Sequence, residues 1–198
     1  NTDFNTKLGY QAGKNIVSGA INNTYLGYQS GYSDAATTNA ADDNTAIGYQ
    51  SLYSNTTGYS NTANGAYALY SNTTGYSNTA NGYNALYYNV SATSSTAIGF
   101  RAGQGTASYN AGELTLVGTD ALYSITTGAE NVTALGYRAG YANTSGANNI
   151  YLGYQAGDNV TTGSNNIILG YDIDAPAVDS SNILNIGNLI FGTGIDGT

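Results

Sequence analysis

The stretch Leu52–Gly65, LYSNTTGYSNTANG, recurs without change as Leu69–Gly82. A perfect copy displaced by 17 residues announces a repeat architecture, and the period has to be established before any local propensity is read. The anchor is the final glycine, usually preceded by an aliphatic residue and followed by an aromatic one. Extending outward gives Gly9, Gly27, Gly48, Gly65, Gly82, Gly99, Gly118, Gly136, Gly153, Gly170 and Gly187. The intervals are 18, 21, 17, 17, 17, 19, 18, 17, 17 and 17, so eleven copies of one unit carry insertions of one to four residues.

Columns within the unit have distinct characters. Immediately before the glycine stand Leu8, Leu26, Ile47, Ile98, Val117, Leu135, Leu152, Leu169 and Ile186. Two residues earlier stand Thr6, Thr24, Thr45, Thr62, Thr79, Thr96, Thr115, Thr133, Ile150, Ile167 and Leu184. Residues two apart share a face of a strand, so both columns are expected to point inward. Two after the glycine, the polar set Gln11, Gln29, Gln50, Asn84, Arg101, Asp120, Arg138, Gln155 and Asp172 is expected to face out. The next column is always small (Ala12, Ser30, Ser51, Ala68, Ala85, Ala102, Ala121, Ala139, Ala156), which calls for close packing. A second glycine often follows ten after the first, at Gly19, Gly58, Gly75, Gly128, Gly146 and Gly163.

Each unit therefore reads as strand, glycine bend, short strand and glycine-containing turn. No 3.6-residue period is sustained. The expected fold is all-β, a parallel β-solenoid or β-roll of about eleven 17-residue coils. The repeat domain covers residues 1–187, and 188–198 is a terminal strand or linker toward a further C-terminal module. Coils would stack about 4.8 Å apart. Each unit supplies few aliphatic side chains, so lateral association of identical chains, as a homotrimer, is expected to complete the core.

Stacking also explains the composition. Charged residues make up 8%, against about 25% in ordinary soluble domains, because a column of like charges would repel itself. Asn, Gln and Thr can form side-chain ladders instead, and tyrosines can stack. The aromatic column after the glycine is Tyr10, Tyr28, Tyr49, Tyr83, Phe100, Tyr137, Tyr154 and Tyr171. A second is Tyr32, Tyr53, Tyr70, Tyr87, Tyr123 and Tyr141. These are candidate contact surfaces for glycans, or packing ladders within and between chains.

Several chemistries are excluded or weak. With no Cys and no His there is no thiolate, imidazole base, disulfide or ordinary zinc site. A net charge of −8 leaves no basic footprint for nucleic acid, and no apolar run is long enough for a membrane span. The carboxylates, among them Asp3, Asp34, Asp42, Asp43, Glu113 and Glu130, occupy irregular positions, and a regular rod offers no evident cleft for a glycosidase pair. Asp172, Asp174 and Asp179 are a candidate cluster for a hard cation, outweighed by their reading as solvated loop carboxylates. No cofactor is expected. Sequons fall at Asn22, Asn55, Asn72, Asn89, Asn131, Asn143 and Asn159, and Asn55, Asn72 and Asn89 would line one edge open to glycosylation.

The runs NTAIGYQSL (Asn44–Leu52), STAIGFRAG (Ser95–Gly103) and NNIYLGYQAG (Asn148–Gly157) resemble the head repeats of YadA-type trimeric autotransporter adhesins. That resemblance implies a parallel β-roll with three chains per head, although the unit here is longer. The sequence is also similar to tyrosine-rich repeats of phage tail-fibre-like proteins, often followed by an intramolecular chaperone. The closing run Asn182–Thr198 resembles the join to such a module.

The function expected is a non-enzymatic, extracellular, homo-oligomeric fibre segment at a cell or virion surface, adhering to glycans or a host surface or acting as a spacer. A self-assembling extracellular filament is the alternative, since the ends show no polar cap. An ice-binding solenoid ranks below both, because the Thr column is expected inside.

Overall fold

The computed structural model describes residues 4–16, 19–33, 41–187 and 190–193. It is an all-β solenoid. The strands are β1 (Thr6–Leu8), β2 (Thr24–Leu26), β3 (Thr45–Ile47), β4 (Thr62–Asn64), β5 (Thr79–Asn81), β6 (Thr96–Ile98), β7 (Thr115–Val117), β8 (Thr133–Leu135), β9 (Ile150–Leu152), β10 (Ile167–Leu169), β11 (Ile183–Ile186) and β12 (Ile190–Thr193). They form one sheet in chain order. β1 to β11 are parallel and in register, so that Thr24 faces Thr45 and Leu26 faces Ile47. β12 turns back and pairs antiparallel with β11, occupying the edge on which a twelfth parallel coil would lie.

β1 to β10 are three residues long because the backbone is bent on both sides. The residue before each Asn-Thr corner, such as Ser77 at φ 56°, is left-handed. The key glycine closes the strand at φ values such as 140° for Gly99. A Cβ on Gly99 would stand 2.4 Å from the carbonyl oxygen of Gly118, so a side chain is excluded by space as well as by φ. The same clash recurs from Gly9 to Gly153, which is why the glycine is the strictest column in the sequence.

The expected short second strand does not form. The residues two and four after the glycine are again left-handed, as at Asn84 (φ 56°) and Leu86 (φ 52°). An extended run cannot pass through such corners, and turns fill this side of each coil. Coils still bond to one another there, with Leu86 N–H donating to the Ala102 carbonyl at 3.0 Å.

The facing of the strand is the reverse of that expected. Its middle residue points into the coil, and the Thr and aliphatic columns flanking it point out. Ala46, Ala63, Ala80, Ala97, Leu116, Ala134, Tyr151 and Ile168 are buried, while Leu26, Ile98 and Leu152 are exposed. A shift of one residue exchanges every side chain between faces. The lumen decides the register: it is narrow, and its volume is shared between the strand centre and the residue four after the glycine. Where that residue is Leu52, Leu69 or Leu86, the strand centres around it are alanines. Where it is Gly157, the ring of Tyr151 takes the space, 2.3 Å from where a Cβ would be. The small column closes the core, with Ala68, Ala85, Ala102, Ala121, Ala139 and Ala156 buried as expected.

Candidate interaction surface

The corner before each strand holds a buried asparagine ladder. Asn23, Asn44, Asn61, Asn78, Asn149 and Asn166 are all 0–1% exposed. Each Oδ1 accepts the backbone N–H of its counterpart one coil on: Asn23 from Asn44 at 2.8 Å, Asn44 from Asn61 at 3.0 Å, Asn61 from Asn78 at 3.1 Å. Each Nδ2 donates to a carbonyl at the far corner, as Asn61 does to Gly75 at 2.8 Å. The Asn-Thr pair that recurs before the strands is the mark of this column in the sequence, one that hydrophobic patterning does not single out.

A second ladder overturns the glycosylated edge. Asn55, Asn72, Asn89 and Asn143 are buried, and the Asn72 amide donates to the Oδ1 of Asn55 at 3.0 Å. An oligosaccharide transferase cannot reach these amides in the folded chain. Of the remaining sequons, Asn22 and Asn131 are exposed and Asn159 is half-buried.

The polar column is half-exposed or exposed and laddered as expected, except at Asp120, which is buried. Gln29 donates to Gln11 at 2.8 Å, and Gln50 to Gln29 at 2.7 Å. Charges enter this column with alternating sign. Arg101 forks onto Asp120 at 2.7 and 2.8 Å, and Arg138 lies on the other side of the same carboxylate at 3.8 Å. The hydrogen bond to Asp120 raises the Arg101 pKa against the opposing cost of desolvation. Both guanidinium groups rest on aromatic rings, Arg101 on Phe100 and Tyr123, Arg138 on Tyr137 and Tyr141.

The aromatic columns are stacks along the rod. Tyr10, Tyr28 and Tyr49 follow at 5.3 and 5.1 Å, and Tyr137, Tyr154 and Tyr171 at 5.2 and 4.9 Å. Tyr83 stacks on Phe100, and Tyr32, Tyr53, Tyr70 and Tyr87 form the second column. A third, unexpected pair is Tyr59 with Tyr76. Because the rings cover one another's faces, the surface presents edges and hydroxyls. A glycan-stacking platform needs open ring faces, so the expected contact surface has a different chemistry. Tyr171, 73% exposed at the end of its column, keeps one face open.

The largest feature is the outward sheet face. It comprises the Thr column, the aliphatic column, the eleven glycines and the tyrosine column beside them. Among the described residues it carries no charge. Leu26, Tyr28, Tyr49, Ile98, Val117 and Leu152 are all at least 38% exposed on it.

One expectation about the acidic residues, that the rod offers no evident cleft, is corrected. An open polar cleft of about 290 Å³ exists, lined by Ser91, Thr93, Asn110, Gly112, Glu113 and Glu130, where the longer Gly99–Gly118 coil departs from the regular turn. Among the described residues no group of three acidic side chains gathers for a metal, so Asp172, Asp174 and Asp179 form no such cluster. Asp174 instead meets Asp158 on the preceding coil. Burial lifts its carboxyl above the usual aspartate range, and the charges of Asp158 and Asp172 push the same way. Asp3 and Asp34 lie outside the described residues, as do 188–189 and 194–198 of the terminal segment.

No family model, curated protein or solved structure matches this chain. Among the described residues no helix is long and apolar enough to cross a membrane.

Proposed function

We propose that this chain is the rod of an extracellular, homo-oligomeric, non-enzymatic fibre that serves as an adhesive segment or rigid spacer. The observation that carries the reading is the uncharged outward sheet face. Ten coil rises of about 4.8 Å by four residues of about 3.3 Å give a strip of roughly 600 Å². A standard protein interface buries about 800 Å² per partner, so the strip is of the right order for close packing of copies. A chain of net charge −8 would approach another copy most readily through such a face. Adhesion to a glycan or host surface would then use the tyrosine edges and hydroxyls that remain outside.

Light scattering at micromolar concentration tests this. A fixed oligomer, converted to monomer by Ile98→Arg with unchanged circular dichroism, is the expected result. A monomeric wild-type chain refutes it. Long filaments in electron micrographs would favour end-to-end assembly, against which stand the antiparallel β12 and Lys7, a charged residue at the strand-centre position of β1.

A second reading gains support from the reversed facing. Eight threonines, Thr6 to Thr133, stand in one outward column on a regular sheet, and such a surface can order water. Thermal hysteresis in the native chain, lost in Thr79→Lys, would establish ice binding. Its absence removes that reading.

A further inference from the structure

Tyr59 and Tyr76 occupy the same position in successive coils. Their rings lie 4.8 Å apart and 2° from parallel, the closest and flattest of the stacked pairs. Both are exposed, at 44% and 38%. The Ser77 N–H donates to the Tyr59 carbonyl at 3.1 Å, so the backbone holds the rings in register. The neighbouring coil offers Thr93 at this position, paired with Tyr76 through an isolated bridge, so the stack is two rings long. Tyr59 therefore has one stacked aromatic partner, on its own chain.

We propose that this pair is an oxidative cross-linking site at which adjacent coils are joined by a dityrosine bond. The co-reactant is hydrogen peroxide used by a haem peroxidase, or another one-electron oxidant. Each phenol gives up one hydrogen atom, leaving two phenoxyl radicals. These combine at the ring carbons next to the hydroxyls, forming one carbon–carbon bond. The two displaced ring hydrogens move to the oxygens and restore both phenols. The balance is two phenols plus one peroxide giving one biphenol and two waters. Stacking supplies the proximity that such coupling needs, since a radical on Tyr59 has the Tyr76 ring in contact before it can diffuse to another chain. In a chain with no cysteine, this bond would do what a disulfide does, closing a loop of one coil. The exposed columns Tyr28–Tyr49 and Tyr137–Tyr154 share the geometry and extend the chemistry along the rod. The inference is independent of the oligomeric state proposed above.

The test treats the full chain with peroxidase and hydrogen peroxide. Dityrosine fluorescence should appear, the intact chain should lose the mass of two hydrogens per bond, and digestion should release one peptide pair joining Tyr59 to Tyr76. Tyr76→Phe keeps the ring and its stacking but cannot form the second radical. It should abolish all cross-links at Tyr59 while circular dichroism stays unchanged. Tyr59→Phe should do the same for Tyr76. The uncoupled chain should unfold at a lower temperature than the coupled one. Cross-links from Tyr59 to a different chain or to other tyrosines, persistence of its coupling in Tyr76→Phe, or no coupling at Tyr59 would each overturn the proposal.

Discussion

Replacing Asn61 by alanine removes one rung of the buried ladder while leaving the outer surface untouched. The side chain is fully buried. Its Oδ1 accepts from the Asn78 backbone N–H at 3.1 Å and from the Asn78 amide at 3.0 Å. Its Nδ2 donates to Gly75 at 2.8 Å and to Asn44 at 3.2 Å. Most partners have a second contact: the Asn78 amide keeps Ala92, and the Gly75 carbonyl keeps Asn72. The Asn78 N–H loses its acceptor, and a buried donor left unmade costs about 1–3 kcal/mol. The lost bond to Gly75 adds about 1 kcal/mol. The expected destabilisation is therefore about 2–4 kcal/mol, large for a single polar residue. Denaturant unfolding followed by circular dichroism reads it, with Ser60→Ala on the adjacent exposed position as control. A loss below about 0.5 kcal/mol would refute the ladder as a stabilising element, since that is the scatter of surface changes.

Other consequences are equally direct. Gly99→Ala places a Cβ 2.4 Å from the Gly118 carbonyl at a φ of 140°, and should cost more than the roughly 1–3 kcal/mol of backbone strain alone, read as a fall in unfolding midpoint. Asp120→Asn removes the negative charge shared by Arg101 and Arg138 and leaves two like charges, two coils apart, with only a neutral amide between them. Asp120 is buried but both guanidinium groups are about a third exposed, so a loss of about 1–2 kcal/mol is expected, and a neutral result would demote the cluster to a surface contact. The Asp174 carboxyl is raised in the folded chain, so folding favours its protonated form. That contribution is complete below the ordinary aspartate pKa of about 3.9 and is lost as pH rises through the higher folded value. Protection factors for amide exchange in the last coils, corrected for the intrinsic pH dependence of exchange, should accordingly rise on acidification from neutral pH, and Asp174→Asn should remove the rise.

The period, the parallel stacking and the count of coils were legible because identical positions repeat and the glycine ladder is nearly unbroken. The two tyrosine columns and the glutamine ladder beside them were legible for the same reason, whereas the buried asparagine ladders and the Tyr59–Tyr76 pair were not. Facing was not. Thr96, Ala97 and Ile98 alternate in either sense, and hydrophobicity favours burying the isoleucine. What decides is the volume of a lumen shared with Leu86 on the opposite wall, and that distance is absent from a one-dimensional pattern. The extra short strand failed because left-handed corners at residues such as Asn84 and Leu86 carry no compositional mark. Leucine in particular is no sign of positive φ. The sequons misled because Asn55 and Asn72 satisfy a surface motif while serving as interior ladder rungs. The cleft holding Glu113 and Glu130 arises from an insertion whose position was visible but whose path was not.

The most direct test of the account measures the rise of the solenoid in solution. Asn22 and Asn165 stand at the same exposed position of two coils separated by eight rises. With no native cysteine, both can be replaced by cysteine and spin-labelled. Chains diluted with unlabelled protein remove contributions between copies. At about 4.8 Å per rise, pulsed electron resonance should report one narrow distance near 38 Å. A broad distribution, or a narrow one far from that value, would contradict the parallel stack on which every other conclusion rests.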